Sequence, residues 1–222
     1  MPITPSPSIE KFLRAIYIAS VRGMKVNGTH LSAELKISPA AITDMARKLS
    51  ENGLINYTKH KELSLTKKGK DVALKVVRNH RLWEGFLHKS LNLNLEEIHK
   101  EAELLEHFGS PELMAKIDKF LEYPQFDPHG DPIPDEEGKL PEEQNYPSLK
   151  ECSPGKYEIL RVYYDNSDVS NFFAQYDFKV GKIIELALQF KMDNAVLIKI
   201  DKMTIVVNES IASKVFVKPA AE

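Results

Sequence analysis

The 222-residue sequence predicts a mainly α-helical protein that ends in a small β domain. Between residues 8 and 121, apolar side chains recur at helical spacing, and several of these segments begin with a capping residue. Beyond Cys152 the pattern changes to short runs of alternating apolar residues, which is typical of a small barrel. Residues 122–150 between them contain six prolines, eight acidic residues and two lysines, and this composition indicates a linker or an extended arm.

The first elements follow the order of a winged helix-turn-helix. We predict a helix over residues 8–21, a second over 28–35, and a third that Ser38 caps and Pro39 opens, because proline is tolerated at the first helical position. Two alternating runs at 54–58 and 62–65 then predict a β-hairpin. A helix, a turn, a second helix and a hairpin form the usual DNA-reading module.

The remaining elements complete the predicted architecture. Thr66 and Asn94 are expected to cap helices over 67–90 and 94–108, and Ser110 precedes a third helix that ends near residue 121. Strands are predicted at 157–164, 182–190, 195–200, 204–207 and 215–217. The expected domains are a winged-helix domain at 1–72, a helical domain at 73–122, a Pro-rich acidic linker at 123–151 and a β-barrel at 152–222.

Composition excludes several classes of protein. No apolar run approaches the ~20 residues that span a bilayer, and the first residues lack the charged and apolar blocks of a secretory signal. The single cysteine, Cys152, excludes an internal disulfide framework and is typical of a reducing compartment. We therefore expect a cytoplasmic protein with no membrane partner.

The charges are unevenly distributed along the chain. Residues 1–75 contain 13 Lys and Arg against 6 Asp and Glu, whereas the remaining residues contain 17 against 26. A basic module joined to an acidic body favours binding of double-stranded DNA, although chance clustering on solvated faces is an open alternative.

The third helix is the expected recognition helix, because the first turn of such a helix reaches base edges in the major groove. Its first turn offers small side chains that permit close approach: Ser38, Pro39, Ala40, Ala41 and Thr43. Arg47 and Lys48 follow one turn later and are expected at phosphates, and Lys59 and Lys61 at the hairpin tip are expected at the DNA backbone or the minor groove. The alternative is an ordinary helix start and a solvated turn.

Histidines and carboxylates cluster on two neighbouring predicted helices. His80 and Glu84 lie one turn apart on the first of these helices. An arc of about 100° on the next helix carries the other four candidate ligands: His99, Glu103, Glu106 and His107. Oxygen and imidazole ligands without a thiolate suit Mn²⁺, Fe²⁺ or Zn²⁺, and an exposed charged helix face is the alternative.

Two motifs carry a resemblance to a known family. The runs NHRLWEGFL at 79–87 and IHKEAELLEH at 98–107 resemble the diphtheria toxin repressor family of iron- and manganese-dependent regulators. The resemblance covers essentially the whole chain, including Asp-Pro-His-Gly at 127–130 and Pro-Ile-Pro at 132–134, and it implies that the C-terminal barrel is SH3-like.

The resemblance also implies two metal sites. One would use His80, Glu84 and His99, completed by Asp165 or Asp168 of the barrel. In the manganese-dependent streptococcal type, the linker adds Asp127 and His129. The second site would use Glu103, Glu106 and His107, and glutamate at position 103 favours manganese over iron. Lys11 stands where the first helix normally supplies a ligand, so we expect that site to be absent or remodelled, or Lys11 to form a salt bridge with Glu103 or Glu106.

These observations predict a metal-dependent repressor of metal homeostasis genes, in which the metal orders a homodimer on a palindromic operator. The dimer seam is expected within residues 94–121. Manganese is the expected metal, with Fe²⁺ or Zn²⁺ as alternatives, and no small organic substrate or enzyme activity is expected. The competing interpretations are a dinuclear metalloenzyme, a winged-helix sensor of an organic ligand, and a metal-storage or protein-interaction module.

Overall fold

A computed structural model describes residues 6–58, 61–142, 146–164 and 167–220, with only the backbone of Ser167. The chain forms two compact units, and each is described separately below. The first unit contains the described residues of Met1–His80, Glu103–Ala115 and Pro134–Leu140. The second contains those of Arg81–Ala102, Lys116–Ile133 and Pro141–Glu222.

The first unit begins with three helices and a short hairpin, in the predicted order. The elements are α1 (Pro7–Val21), α2 (Gly28–Leu35), α3 (Pro39–Glu51), β1 (Ile55–Asn56) and β2 (Ser64–Leu65). The strands β1 and β2 pair antiparallel. The helices bury one apolar core, whose largest fully buried side chains are Phe12, Leu13, Ile16, Leu31 and Leu49. The predicted helix-turn-helix and hairpin are therefore confirmed.

The turn between α2 and α3 is fixed by local hydrogen bonds. Lys36 ends α2 with a left-handed backbone conformation, φ 54°. The Ser32 hydroxyl donates to the carbonyl of Ile37 at 2.6 Å, which ties the turn to α2. Ser38 then caps α3, because its hydroxyl accepts a hydrogen bond from the amide of Ala41 at 3.2 Å. These contacts set the position at which the exposed first turn of α3 begins.

Three helices follow: α4 (Lys67–Leu91), α5 (Leu95–Leu105) and α6 (Pro111–Phe120). The Asn94 carboxamide caps α5 by accepting from two amides, and Glu97 accepts from the amide of Asn94 at 2.8 Å. The helix ends three residues earlier than the predicted residue 108, so Glu106 and His107 lie in a turn. Within the described residues, every helix is too short or too polar to span a bilayer.

The second unit contains a five-stranded antiparallel sheet of order β6-β5-β4-β3-β7. Its strands are β3 (Gly155–Val162), β4 (Ile183–Gln189), β5 (Val196–Ile200), β6 (Met203–Val207) and β7 (Val215–Pro219). This sheet is consistent with an SH3-like domain, so the mainly helical fold class with a small β domain is confirmed. Two helices among the strands, α7 (Ser167–Gln175) and α8 (Glu209–Ala212), were not predicted.

Part of the Pro-rich segment is packed, contrary to the expectation of an extended arm. Asp127, His129 and Ile133 are buried in the second unit. The amides of His129 and Asp131 donate to Asp127 Oδ1 at 2.8 and 2.9 Å, which folds the chain around one carboxylate. Gly130 completes the turn with φ 86°. Proline prevents regular structure here, but it does not prevent burial.

Replacing Gly130 with alanine is expected to destabilise the second unit. An added Cβ would lie 2.0 Å from the Leu160 carbonyl oxygen, in addition to the strain of the positive φ. We expect a loss of about 2 kcal/mol or more, which lowers the melting temperature by roughly 2–4 °C per kcal/mol. Gly23→Ala is the matched control, because Gly23 also has positive φ but a Cβ there meets nothing within 4 Å. Equal melting temperatures for the two variants would contradict the expected clash.

Candidate functional site

Glu84 lies at the centre of a buried polar cluster in the second unit. Its carboxylate, from α4, lies 3.0 Å from His99 Nδ1 of α5 and 3.5 Å from His129 Nδ1. Glu84, Asp127 and His129 each offer one ligand atom within 4.8 Å of the others. We call Glu84, His99, Asp127 and His129 the Glu84 cluster. The helices position the first two residues, and the turn around the Asp127 carboxylate positions the others.

Asp127 of this cluster is a buried carboxyl group with other carboxylates close to it. Burial, together with the nearby carboxylates of Glu84 and Asp131, raises the pKa of its carboxyl to about 8. The compensating cation, Arg81, holds its Nε 3.7 Å from Asp127 Oδ2, which is too long for a hydrogen bond. Among the described residues, Asp127 Oδ2 has no hydrogen-bond partner. A buried acceptor is therefore left unsatisfied.

One ring nitrogen of His129, Nδ1, faces the carboxylates of Glu84 and Asp127. Burial alone would lower the pKa of His129, but the Glu84 carboxylate outweighs it and, with the charges of Asp127 and Asp131, raises the pKa to about 9. Its other nitrogen, Nε2, is buried and lacks a hydrogen-bond partner within the part of the chain that the structure describes. The cluster thus combines crowded acids with two buried polar atoms that the described side chains do not satisfy.

The donor set of the Glu84 cluster fits a divalent cation. Carboxylate oxygens and imidazole nitrogens converge, and two of the buried atoms have no hydrogen bond to any residue that the structure describes. The single cysteine of the chain, Cys152, belongs to the core of the β domain instead. Oxygen and imidazole ligands without a thiolate suit Mn²⁺, Fe²⁺ and Zn²⁺ rather than a soft ion such as Cu⁺. Glu84, His99, Asp127 and His129 are the residues that would hold such an ion.

The β domain contributes Tyr164, a residue that the sequence reasoning missed. Its ring lies 4.8 Å from that of His129, centroid to centroid, and its buried hydroxyl has no hydrogen-bond partner among the described residues. Burial, together with the charges of Glu84 and Asp127, raises the pKa of Tyr164. Of the two predicted barrel ligands, Asp165 lies outside the described residues. Asp168 is exposed in the first turn of α7, and its role stays a prediction.

A second cluster lies in the first unit, around the buried carboxylate of Glu106. This carboxylate lies 2.6 Å from His80 Nδ1, 3.2 Å from His107 Nε2 and 3.5 Å from Arg14 Nε. Burial alone would raise the pKa of Glu106, but the hydrogen bond from His80 and the charge of Arg14 outweigh it and lower the pKa. His80, the neighbour of Glu84 one turn along α4, is therefore paired with Glu106 in this unit.

Helix α1 supplies the remaining members of this second cluster. Glu103 lies 3.8 Å from Arg14 Nη1 and 3.9 Å from Lys11 Nζ, so the ion pair expected for Lys11 with Glu103 is present. Glu10 lies 2.7 Å from His107 Nδ1. The sequence reasoning missed Glu10 and Arg14, although they lie on either side of Lys11 in the sequence and one helical turn apart. We call this set the Glu106 cluster: Glu10, Lys11, Arg14, His80, Glu103, Glu106 and His107.

The predicted DNA-reading residues lie on one exposed part of α3. Ser38, Pro39, Ala40 and Ala41 are exposed, and the hydroxyl of Thr43 donates to the carbonyl of Pro39 at 2.9 Å. Arg47 and Lys48 are also exposed, and Arg47 forms a 2.8 Å ion pair with Asp44. Lys61 is exposed after β1, whereas Lys59 lies outside the described residues. The face is therefore open to a ligand, and its contacts with DNA stay a prediction.

Two family models match this chain in succession. Residues 5–63 match "Iron dependent repressor, N-terminal DNA binding domain". Residues 66–135 match "Iron dependent repressor, metal binding and dimerisation domain". The first match covers α1 to β1 and ends just before β2, and the second covers α4 to α6 and the turn at Asp127.

Solved structures and curated proteins give the same result. The structure of the manganese regulator SloR has a TM-score of 0.79 and 33% identity, and covers 98% of this chain and 100% of its own. A manganese-dependent transcriptional repressor in complex with manganese has a TM-score of 0.84 and 29% identity, with 95% and 99% coverage. The iron-dependent repressor IdeR of Mycobacterium leprae is 32% identical over 125 residues, which are 56% of this chain and 54% of that protein. The chain thus spans about half the length of this curated relative.

Binding of Mn²⁺ to the Glu84 cluster is expected to strengthen as pH rises from about 6 to 8. Asp127 has a pKa of about 8 and His129 a pKa of about 9, so both carry protons that a cation must displace. Below these values the affinity should rise about tenfold per pH unit for each proton released. Calorimetric titrations in two buffers of different ionisation enthalpy measure the proton release. An affinity that stays constant or falls over this range would contradict the prediction.

Proposed function

This chain belongs to the diphtheria toxin repressor family, and we propose that it is a cytoplasmic, metal-dependent transcriptional repressor that binds double-stranded DNA as a homodimer. The Glu84 cluster carries this proposal, because it places two buried carboxylates and two imidazoles around unsatisfied polar atoms. The regulated genes would be those of metal homeostasis, and the operator would be palindromic to match a two-fold symmetric dimer.

Manganese is the proposed metal, with Fe²⁺ and Zn²⁺ as alternatives. The proposal rests on the hard oxygen ligands of Glu84 and Asp127 and on the absence of a thiolate among the described residues of the cluster. Of the structural relatives, SloR is described as a manganese regulator and another as a manganese-dependent repressor, whereas the curated mycobacterial relative is described as iron-dependent. The carboxylate oxygens favour manganese over the softer ions Fe²⁺ and Zn²⁺.

The residues of the Glu84 cluster form a site whose negative charges and unsatisfied polar atoms a bound cation would complete. The amides of His129 and Asp131 fix one oxygen of Asp127 and leave the other without a hydrogen bond. Glu84 orients the rings of His99 and His129 through their Nδ1 atoms. A bound divalent cation would supply the two positive charges that neutralise the carboxylates. The ordered turn and α5 would then hold two recognition helices about one duplex turn apart in the dimer.

The proposed dimer seam lies within residues 94–121. Three large apolar side chains there are exposed in the first unit: Leu104, Phe108 and Leu113. Side chains of this size are usually buried, so a group of them on one segment favours an interface. The description of the matching family model as a dimerisation domain supports the same segment.

A metalloenzyme is not favoured. The family and the relatives named above are transcriptional regulators. A helical dinuclear oxidase site needs Glu-x-x-His spacing on each of two paired helices, and Glu103, Glu106 and His107 have a different spacing. A sensor of an organic ligand would bind its operator without dependence on metal, and the next experiment separates that alternative from the proposal.

Glu84→Gln is expected to abolish metal-dependent DNA binding while the fold is retained. The amide removes a charge from the centre of the cluster, so Mn²⁺ binding weakens, and we expect a loss of operator affinity of about 100-fold or more at a fixed manganese concentration. Fluorescence anisotropy with operator DNA, for apoprotein and at increasing Mn²⁺, Fe²⁺ or Zn²⁺, measures it.

Glu185→Gln is the matched control for that experiment, because Glu185 is a carboxylate of the sheet that forms an exposed ion pair with Lys199. This variant should behave as the wild type. The proposal is wrong if wild-type apoprotein binds the operator as tightly as the metal-loaded protein does.

A further inference from the structure

The Glu106 cluster contains cations of its own, and this distinguishes it from the Glu84 cluster. Arg14 contacts two carboxylates at once, through Nη1 to Glu103 and through Nε to Glu106. Lys11 adds a second positive charge beside Glu103. Arg14 is mostly buried, with 15% of its side chain exposed, so the pair with Glu106 is shielded from solvent. A guanidinium is always charged and cannot ligate a metal.

We propose that Arg14 neutralises the Glu106 cluster in the place where the family resemblance implies a second metal ion, so that this chain has a single regulatory metal site per protomer. The inference rests on the proposed function of the Glu84 cluster as that site. It also assigns Arg14 a role as a permanent internal cation that ties α1 to the turn after α5 in the first unit.

The candidate ligand atoms of the two clusters differ in how closely they approach one another. Glu84, Asp127 and His129 bring one ligand atom each within 4.8 Å of one another. Among the described residues, Glu103, Glu106 and His107 form no such convergent group. A cation at the second cluster would therefore require these side chains to move toward each other, away from their present partners.

The candidate ligand atoms of the Glu106 cluster already have partners within the protein. Both oxygens of Glu106 face donors, since Oε1 lies near His107 Nε2, and Oε2 near His80 Nδ1 and Arg14 Nε. The other ring nitrogen of His107 lies 2.7 Å from Glu10. In the described part of the chain, no side chain of the Glu106 cluster has a buried polar atom without a hydrogen bond, in contrast to Asp127 and His129. This cluster is satisfied without a ligand.

The positive charges of the Glu106 cluster would repel a metal ion. An approaching divalent cation would meet Arg14 and Lys11, whose charges lie within 4 Å of the carboxylates that would bind it. Like charges at such distances repel, most strongly beside Arg14 and Glu106, which are shielded from solvent. The lowered pKa of Glu106 agrees with a carboxylate that is already neutralised by neighbouring cations. Metal dependence should therefore be confined to the Glu84 cluster, while α1 stays attached in the apoprotein.

The test counts bound Mn²⁺ per protomer by equilibrium dialysis and elemental analysis. Arg14→Met removes the charge but keeps the length of the side chain, and leaves Glu103 and Glu106 without their main cation. We expect about one equivalent more manganese in Arg14→Met than in the wild type. Arg14→Lys, the matched control that keeps a positive charge, should bind the same amount as the wild type.

Variants of the Glu84 cluster separate this inference from the proposed function. In a Glu84→Gln background, Arg14→Met should still gain about one equivalent, and Mn²⁺ should raise its melting temperature. If the wild type and Glu84→Gln bind equal amounts, the proposed function fails, but the gain from Arg14→Met still tests the inference. No gain in a folded Arg14→Met protein, judged by circular dichroism, would overturn it.

Glu103→Gln covers the case in which Arg14→Met does not fold. Glu103 has 39% of its side chain exposed, so the substitution should be tolerated. The inference predicts wild-type manganese stoichiometry and affinity for Glu103→Gln. A loss of about one equivalent relative to the wild type would show that Glu103 is a metal ligand, and would overturn the inference.

Discussion

The burial of two neighbouring carboxylates, Glu84 and Asp127, is the constraint on which the proposed metal centre depends. Removing a carboxylate from water costs several kcal/mol unless it is paired, and two that are close together repel each other. Arg81 is the nearest cation to Asp127, and it remains 3.7 Å away. The rise in the pKa of Asp127 expresses the same imbalance. The structure therefore contains a negative site that an external cation can complete, and a sensor requires this property.

The same chain resolves a second crowding of acids without an external ion. Glu103 and Glu106 are also two neighbouring carboxylates, but Arg14 contacts both of them and Lys11 lies beside Glu103. A divalent ion and a guanidinium can each neutralise two carboxylates, yet only the ion can dissociate. In our proposal, the Glu106 cluster does not respond to metal because helix α1 supplies a cation there in place of a ligand.

The sequence predicted those parts of the fold that depend on local signals. Ser38 and Asn94 marked helix starts because capping is a short-range interaction, and the spacing of His80 and Glu84 placed them on one helix. The packed turn at Asp127 was not predicted, because a Pro-rich segment has no periodicity that reports burial, and only the family resemblance drew attention to Asp127 and His129. Arg14 and Tyr164 were missed, since their partners are distant in sequence and only the folded chain brings them together.

Anomalous diffraction can show whether Mn²⁺ binds at the Glu84 cluster. The measurement uses crystals of the wild-type protein grown with Mn²⁺, with data collected at the manganese edge. We expect an anomalous peak bounded by the carboxylates of Glu84 and Asp127 and the ring of His129. Such a peak locates the ion without any assumption about its effect on DNA binding. Manganese-loaded crystals with no peak at these three side chains would contradict the account.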